Sequence, residues 1–291
     1  MYSIICCSIN PQEAERLREN IAQTIGVPFE FILFDNRTNG YGLCKVYNLC
    51  AAKAQHEYLC FVHEDVRFQT QNWGKILHEQ LSQPDCGVIG FAGSIIKLKQ
   101  LTGWNTCGKD LRANYGQYMR GRIHPRQVNP NKESYSPVVT LDGLCLLVRR
   151  DVWKEIPFDE TTFTGFHSYD LDYSLAVAQQ YKNYVTHTVF AEHYSEGSFS
   201  PAWLNELKRL HEKWENYLPM AVPPFLKPMQ LPVYQRFGEA HFIKFMWQKG
   251  RFDVKGFKDA IKYWKQYPLH AASWMLFLKY VKYRIRHLKK R

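Results

Sequence analysis

No stretch of this chain approaches the about 20 consecutive apolar residues of a membrane-spanning helix. Residues 1–7 carry no basic leader and no small-residue cleavage site, which predicts no secretory signal. No CxxC pair occurs among the eight cysteines, and Cys6, Cys7, Cys44, Cys60 and Cys145 sit in or near apolar runs. That pattern argues against a disulfide framework and for buried thiols in a reducing cytosol. No internal repeat is present. Acidic residues nearly vanish from the last stretch: residues 241–291 hold 14 Lys and Arg against Asp253 and Asp259, a charge of +12, while the remainder of the chain carries −1. Such asymmetry points to an anionic surface, either membrane or nucleic acid.

What the chain does have is core-forming material. Its 291 residues are 45% hydrophobic and 15% aromatic, which excludes a disordered chain and suggests one large domain, alone or with an appendage. Apolar runs at 3–9, 29–34, 58–62 and 86–91 read as buried strands, separated by helical sequence at 12–25, 43–55 and 73–82. This alternation predicts an α/β fold with a mostly parallel sheet covered on both faces. Polar residues cluster just after each strand, at the edge where open α/β sheets bind ligands. Residues 102–137 break the rhythm and predict a long functional loop or an insertion. Strands follow at 138–141, 144–148 and 185–190, with helices at 151–155 and 170–180. Five prolines from Pro219 to Pro232 suggest a linker over 219–240. That divides the chain into a body at 1–218, the linker, and a basic helical extension at 241–291.

Several polar groups sit where strands end. His63-Glu64-Asp65 is a solvated turn or a site for a divalent cation, since hard cations take carboxylate ligands. Asp35-Asn36 is an Asx turn or a carboxylate that accepts a base N–H. Asn48, in the following helix, means little alone. Asp142-Gly143 joins a carboxylate to a glycine that allows close approach of a ligand. Asp170 and Asp172 open a helix, as acids favoured by the macrodipole or as a general base with its support. His193, before Gly197-Ser198, is a structural histidine or the completion of a metal site begun by Asp65.

In this order the motifs resemble the family-2 type of inverting GT-A glycosyltransferases, in the bacterial branch with His-Asp-Asp or His-Glu-Asp in place of Asp-x-Asp. The resemblance spans roughly residues 1–215. It implies a GT-A fold and sugar transfer from a UDP- or GDP-sugar. Asp35 would hold the base, with Asn36 beside it, Asn48 near the nucleotide and Glu64 in the middle of the cluster. Asp65 and His193 would bind Mn²⁺ or Mg²⁺. Asp170 matches the family's base position, with Tyr169 where a Glu is usual, which makes Asp172 a second candidate to share the role. Asp142 would lie near the donor sugar or acceptor. His63 replaces the first acid, which leaves open how many carboxylates touch the metal.

Two rivals are weighed against this. A sugar-1-phosphate nucleotidylyltransferase would need a Gly-rich basic loop where Asn10-Pro11-Gln12-Glu13 stands. A non-catalytic nucleotide- or glycan-binding module of the same fold would tolerate the missing acid at His63. In the tail, residues 268–291 read as a helix with Trp274, Phe277, Leu278, Val281, Ile285 and Leu288 on one face and lysines beside it. With Tyr263, Trp264 and Tyr267 nearby, this predicts an interfacial helix on anionic lipid rather than a nucleic-acid module. The expected setting is therefore the inner face of the cell membrane, with a glycan or lipid-linked acceptor.

Overall fold

The computed structural model describes residues 1–105, 110–195, 200–223, 231–248 and 254–288. Gly197 and Ser198 of the late motif, Pro224 and Pro228 of the expected linker, and residues 289–291 lie outside the described residues. The first half runs β1 (Tyr2–Ser8), α1 (Pro11–Thr24), β2 (Phe29–Asp35), α2 (Leu43–Lys53), β3 (Tyr58–Val62), β4 (Val66–Phe68), α3 (Trp73–Leu81), β5 (Cys86–Gly90), β6 (Ala92–Ser94) and β7 (Ile96–Lys97). There follow β8 (Leu111–Met119), β9 (Arg122–Val128), β10 (Tyr135–Val138), β11 (Thr140–Leu141), β12 (Cys145–Arg149), α4 (Arg150–Glu155), α5 (Tyr169–Val177), β13 (Lys182–Thr186) and β14 (Ala191–His193). The chain ends with α6 (Pro201–Lys213), β15 (Met220–Ala221), α7 (Leu231–Gln248), α8 (Val254–Gln266) and α9 (Ala271–Leu288).

Seven strands form the main sheet in the order β10-β13-β5-β12-β3-β1-β2. Five of them run the same way; β12 and β10 run against the rest. The sheet is thus mostly parallel in direction, but β12 is wedged antiparallel between β3 and β5. Every residue of β3, β5 and β12 is buried, as continuous apolar runs require of strands covered on both faces. One core lies between the sheet and α2, α5 and α6; the other is filled by Tyr2, Trp73 and Phe68 beneath α1 and α3.

A second, six-stranded sheet, β11-β6-β8-β14-β4 with β9 on β8, takes its β8–β9 hairpin from residues 102–137, where a long loop or an insertion was expected. β9 pairs only with β8 and is largely exposed, so it shows no apolar run, and Pro125 is tolerated on such an edge. The run at 138–141 also differs from expectation: β10 belongs to the main sheet and β11 to the second, with the switch at Val139. The last expected strand lies earlier, at Lys182–Thr186.

The expected linker is shorter than 219–240, because α7 is already helical from Leu231 with Pro232 in its first turn, where proline is tolerated. α9 begins at Ala271 rather than at Pro268. Helices α7, α8 and α9 share a small core of Ala240, Ile243, Ala260, Tyr263 and Leu276. Tyr263, expected at a lipid interface, is buried there, and its hydroxyl donates to Arg236 O at 3.2 Å.

Candidate active site

Strand pairing explains how residues distant in sequence meet. β3 delivers His63, Glu64 and Asp65 to the sheet's carboxyl edge, and the chain then enters β4. β14 lies antiparallel on β4 with His193 opposite Val66, and Tyr194 N donates to Asp65 O at 2.9 Å. His193 therefore arrives beside Asp65: its Nε2 is 3.3 Å from Asp65 Oδ1. His63 joins them, with its ring centroid 5.6 Å from that of His193. One ligand atom from each of His63, Asp65 and His193 lies within 4.8 Å of the others.

Glu64 does not join this cluster. Its carboxylate turns back to accept from Ser8 Oγ at 2.5 Å and Asn10 N at 2.9 Å, which fixes the turn before α1. His63, and not Glu64, is the residue that lies with Asp65 and His193. Tyr169 Oη donates to Gly143 O at 2.9 Å and lies 2.7 Å from His63 Nε2. With its proton spent, the hydroxyl accepts from His63 Nε2–H, so a neutral His63 keeps its lone pair on Nδ1. Gly143 is required in this arrangement, because a Cβ would meet Tyr169 Oη at 2.1 Å.

The residues fit a divalent cation. Asp65 Oδ1 and His193 Nε2 are buried without a well-formed hydrogen bond, a costly state that a metal ion would relieve. Two imidazoles and a carboxylate give a mixed nitrogen–oxygen donor set of the kind divalent first-row cations accept. Burial raises the Asp65 carboxyl, but His193 and His63 outweigh it and hold it below the ordinary value. Burial lowers His193, yet Asp65 carries it above its usual value; His63 stays low through burial and the neighbouring His193 charge.

Across the same pocket stands Asp170, at the start of α5. Gly143 N donates to Asp170 Oδ2 at 2.9 Å. Burial, then the Asp142 charge, push the Asp170 carboxyl up to about 7, against backbone hydrogen bonds that lower it. Asp142 itself is held by Leu144 N at 3.0 Å. The loop before α5 is fixed by Glu206, which accepts from His167 N at 2.8 Å and occupies the space a Cβ at Gly165 would need. The pocket, of about 430 Å³, is lined by His63, His193, Asp142, Asp170 and a set of aromatic rings that includes Trp104 and Trp203.

Four sequence-stated site residues fall elsewhere. Asp172 is two positions from Asp170, hence on another face of α5. It is 2% exposed and binds Lys213 at 2.8 Å and Trp214 Nε1 at 2.8 Å, so it is a structural ion-pair partner and not a shared base. Asn48 uses its whole amide on the α4–α5 connection: Nδ2 donates to Phe158 O and Glu160 Oε2, and Oδ1 accepts from Trp153 Nε1 and Phe158 N. No polar atom is left over for a nucleotide. Asn36 is buried and staples its own loop through Tyr41 N and O. Glu64 serves the turn before α1. Asp35 remains on the sheet edge, opposite Ser8 and exposed; Arg37 hydrogen-bonds it and holds its carboxyl down at about 2.

Two features escaped sequence reasoning. Lys97, within the apolar run 95–98, is 0% exposed and donates to Thr102 O, Thr102 Oγ1 and Gly103 O, pinning the pocket wall. Burial lowers its ammonium to about 7. A lysine inside an apolar run was the available signal. The aromatic lining, assembled from separate segments, left none.

A mixed sheet thus carries an acid-and-histidine cluster at its carboxyl edge, with a buried carboxylate across the pocket, in a fold of the GT-A kind. Residues 3–210 match the family described as "Glycosyltransferase like family", and the chain belongs to that family. No curated protein matches the sequence. Among solved structures, GalNAc-T7 with UDP, GalNAc and Mn²⁺ is similar at 14% identity and a TM-score of 0.54; the alignment covers 98% of this chain and 57% of that one. Residues 1–349 of S. aureus TarS with UDP-GlcNAc are similar at 15% identity and a TM-score of 0.52, over 90% of this chain and 79% of that one. This chain thus spans only 57% of the length of the GalNAc-T7 chain it resembles.

Proposed function

We propose that the protein transfers a sugar from a UDP- or GDP-sugar to a glycan or lipid-linked acceptor with inversion at the anomeric carbon. One observation carries this reading: the His63, Asp65 and His193 cluster and the elevated Asp170 carboxyl face each other across one pocket. His63, Asp65 and His193 would hold Mn²⁺ or Mg²⁺, which when bound neutralises charge on the departing diphosphate. Asp170 accepts the proton of the acceptor hydroxyl as its oxygen bonds to the anomeric carbon and the sugar–diphosphate bond breaks. A carboxyl near 7 suits this, because a general base works best with a value near the operating pH. The Gly143 amide fixes the carboxylate's direction, and Asp142 faces the sugar hydroxyls. Asp35 is free to turn from Arg37 toward the base. A single displacement by one base inverts. The UDP of one similar crystal structure and the UDP-GlcNAc of the other favour UDP as the donor's nucleotide.

The proposal extends to location, in cell-surface polysaccharide or lipid-linked oligosaccharide synthesis at the cytoplasmic membrane face. Seven described cysteines are free thiols, which suits a reducing compartment. No described helix is long and apolar enough to cross a membrane. Instead Trp274 and Phe277 of α9 are 51% and 48% exposed, beside Leu278, Trp264 and basic residues. Exposed aromatics in a segment, 241–291, whose sequence carries a charge of +12 suit the surface of an anionic bilayer. A thermal-shift series with UDP and GDP, each with and without Mn²⁺, tests the catalytic part. Stabilisation by a nucleotide only when Mn²⁺ is present supports it, and no stabilisation by either nucleotide rejects it.

A further inference from the structure

The edges of the two larger sheets differ in how they are protected. β10 carries Pro137, and β9 carries Pro125 with Arg122 and Arg126. β4 and β11 are only 3 and 2 residues long. Prolines, basic side chains and shortness are means by which natural edge strands avoid pairing with other chains. β2, at the far edge of the main sheet, uses none of these three. It runs for 7 residues, and among the described residues it pairs only with β1. Of its two acids, Glu30 turns inward to accept from Ser3 Oγ and Gln55 N, and Asp35 closes the strand in its pair with Arg37. Between them Leu33 stands 47% exposed. The backbone shows which groups face outward. Asn36 N donates to Ser8 O at 2.8 Å, and Pro28 O accepts from Tyr2 N at 3.4 Å. Successive residues of a strand turn their amides to opposite sides, so even-numbered residues serve β1. Phe29, Phe31, Leu33 and Asp35 therefore present N–H and C=O to the open edge.

We infer that this edge pairs antiparallel with the same edge of a second copy of the chain, joining the two main sheets across a two-fold axis at Ile32. The inference goes beyond the transferase reading and does not depend on it. The occupant follows from the strand's self-complementarity. With the axis at Ile32, Phe31 exchanges both hydrogen bonds with the partner's Leu33, and Phe29 does so with the partner's Asp35. Every outward N–H and C=O of the strand is then satisfied. A slip of two residues either way leaves Phe29 or Asp35 without a partner inside the strand. The side chains agree with this register. Ile32 meets the partner's Ile32 on the axis, Leu33 meets the partner's Phe31, and Glu30 lies opposite the partner's Phe34. Apolar groups thus meet in the middle, and neither acid faces an acid, which would destabilise the pair. Such a two-fold contact uses the same patch on both copies and closes on itself. One strand with its flanking side chains makes a small interface, so the dimer should dissociate on dilution.

Light scattering on the full chain over a dilution series, joined to a cross-link, tests this. The wild type should show twice the monomer mass at high concentration and return to monomer on dilution. Leu33→Lys sets an ammonium opposite the partner's Phe31, while in the monomer a long side chain at this half-exposed position reaches water. The variant should melt like wild type at low concentration and dimerise at least about tenfold more weakly. Ile32→Cys puts two new thiols across the axis. Residues opposite each other without hydrogen bonds have Cα atoms about 4.5 Å apart, within the reach of a disulfide. Mild oxidation should give a covalent dimer that reductant reverses and that neither wild type nor Phe34→Cys gives. A wild type that is monomeric at every concentration overturns the inference. So does a dimer that folded Leu33→Lys retains, which would assign association to another face such as the exposed rings of α9. Absence of the Ile32→Cys cross-link in a chain that dimerises, or equal cross-linking of Phe34→Cys, overturns the inferred register and with it the self-pairing of β2.

Discussion

Replacing Asp170 with asparagine separates the catalytic and structural consequences of one buried carboxylate. Asparagine keeps the shape and can still accept the Gly143 amide, but it cannot take a proton. Turnover should fall about 10²- to 10⁴-fold, the usual contribution of general base catalysis. Stability should move the other way. The Asp170 carboxyl is displaced from 3.8 to about 7, chiefly by burial and then by Asp142. At about 1.4 kcal/mol per pH unit, full ionisation in the fold costs roughly 4 kcal/mol. Allowing half for water that reaches the carboxylate through the pocket leaves about 2 kcal/mol, or roughly 4–8 °C for a chain of this size. The sign follows from linkage. Between the unfolded value near 4 and the folded value near 7 the native state holds the extra proton, so wild-type stability declines as pH rises through that window. In EDTA, Asp170→Asn should therefore melt higher than wild type at pH 8, and the gap should shrink toward pH 4.5. Calorimetry at several pH values, paired with turnover at pH 7.5, reads both effects. A pH-independent gap, or a variant that turns over normally, would refute the reasoning.

Other outcomes follow from the same geometry. Wild-type turnover should drop as pH falls through about 7, and Asp142→Asn, by removing the neighbouring negative charge, should move that acid limb to lower pH in a pH–rate profile. Asp172→Asn should cost about 1–3 kcal/mol in urea denaturation by weakening the Lys213 and Trp214 contacts, with kcat of the folded fraction little changed. Asn48→Ala should likewise lower the melting temperature without weakening UDP binding in calorimetric titration. Trp274→Glu with Phe277→Glu should abolish sedimentation with anionic vesicles at low salt while the protein stays folded; unchanged sedimentation would remove α9 from the membrane surface. Truncation before α9 is the poorer test, because it removes Leu276 from the three-helix core.

Continuous apolar runs announced β1, β3, β5 and β12, since burial on both faces favours apolar residues throughout; the run at β2 was legible too, although this edge strand is only partly buried. The same rule hid the hairpin of β8 and β9, whose edge strand alternates Arg, His and Gln with few apolar residues. The His63, Asp65 and His193 cluster was half legible. Asp65 and His193 were visible as polar groups after strands, but the choice of His63 over Glu64 depends on which side chain turns back to the β1–α1 turn. Asp170 was placed at the base position with Asp172 as a second candidate, and helical geometry sends the first to the pocket and the other to Lys213. Asn36 and Asn48 lay in the right motifs yet serve local hydrogen bonding, as Asn often does near turns and helix connections. The aromatic wall could not be read at all, because it is assembled from four segments that meet only in the folded chain.

The central claim is that His63, Asp65 and His193 form a cation site that serves a nucleotide diphosphate beside Asp170. Isothermal titration of UDP into the chelator-treated protein, with and without Mn²⁺, addresses it most directly, with Asp65→Ala in parallel. The account predicts that Mn²⁺ strengthens UDP binding to the wild type at least tenfold and has no effect on UDP binding to folded Asp65→Ala. UDP affinity equal in Mn²⁺ and in EDTA, or a Mn²⁺ effect that survives Asp65→Ala, would contradict it.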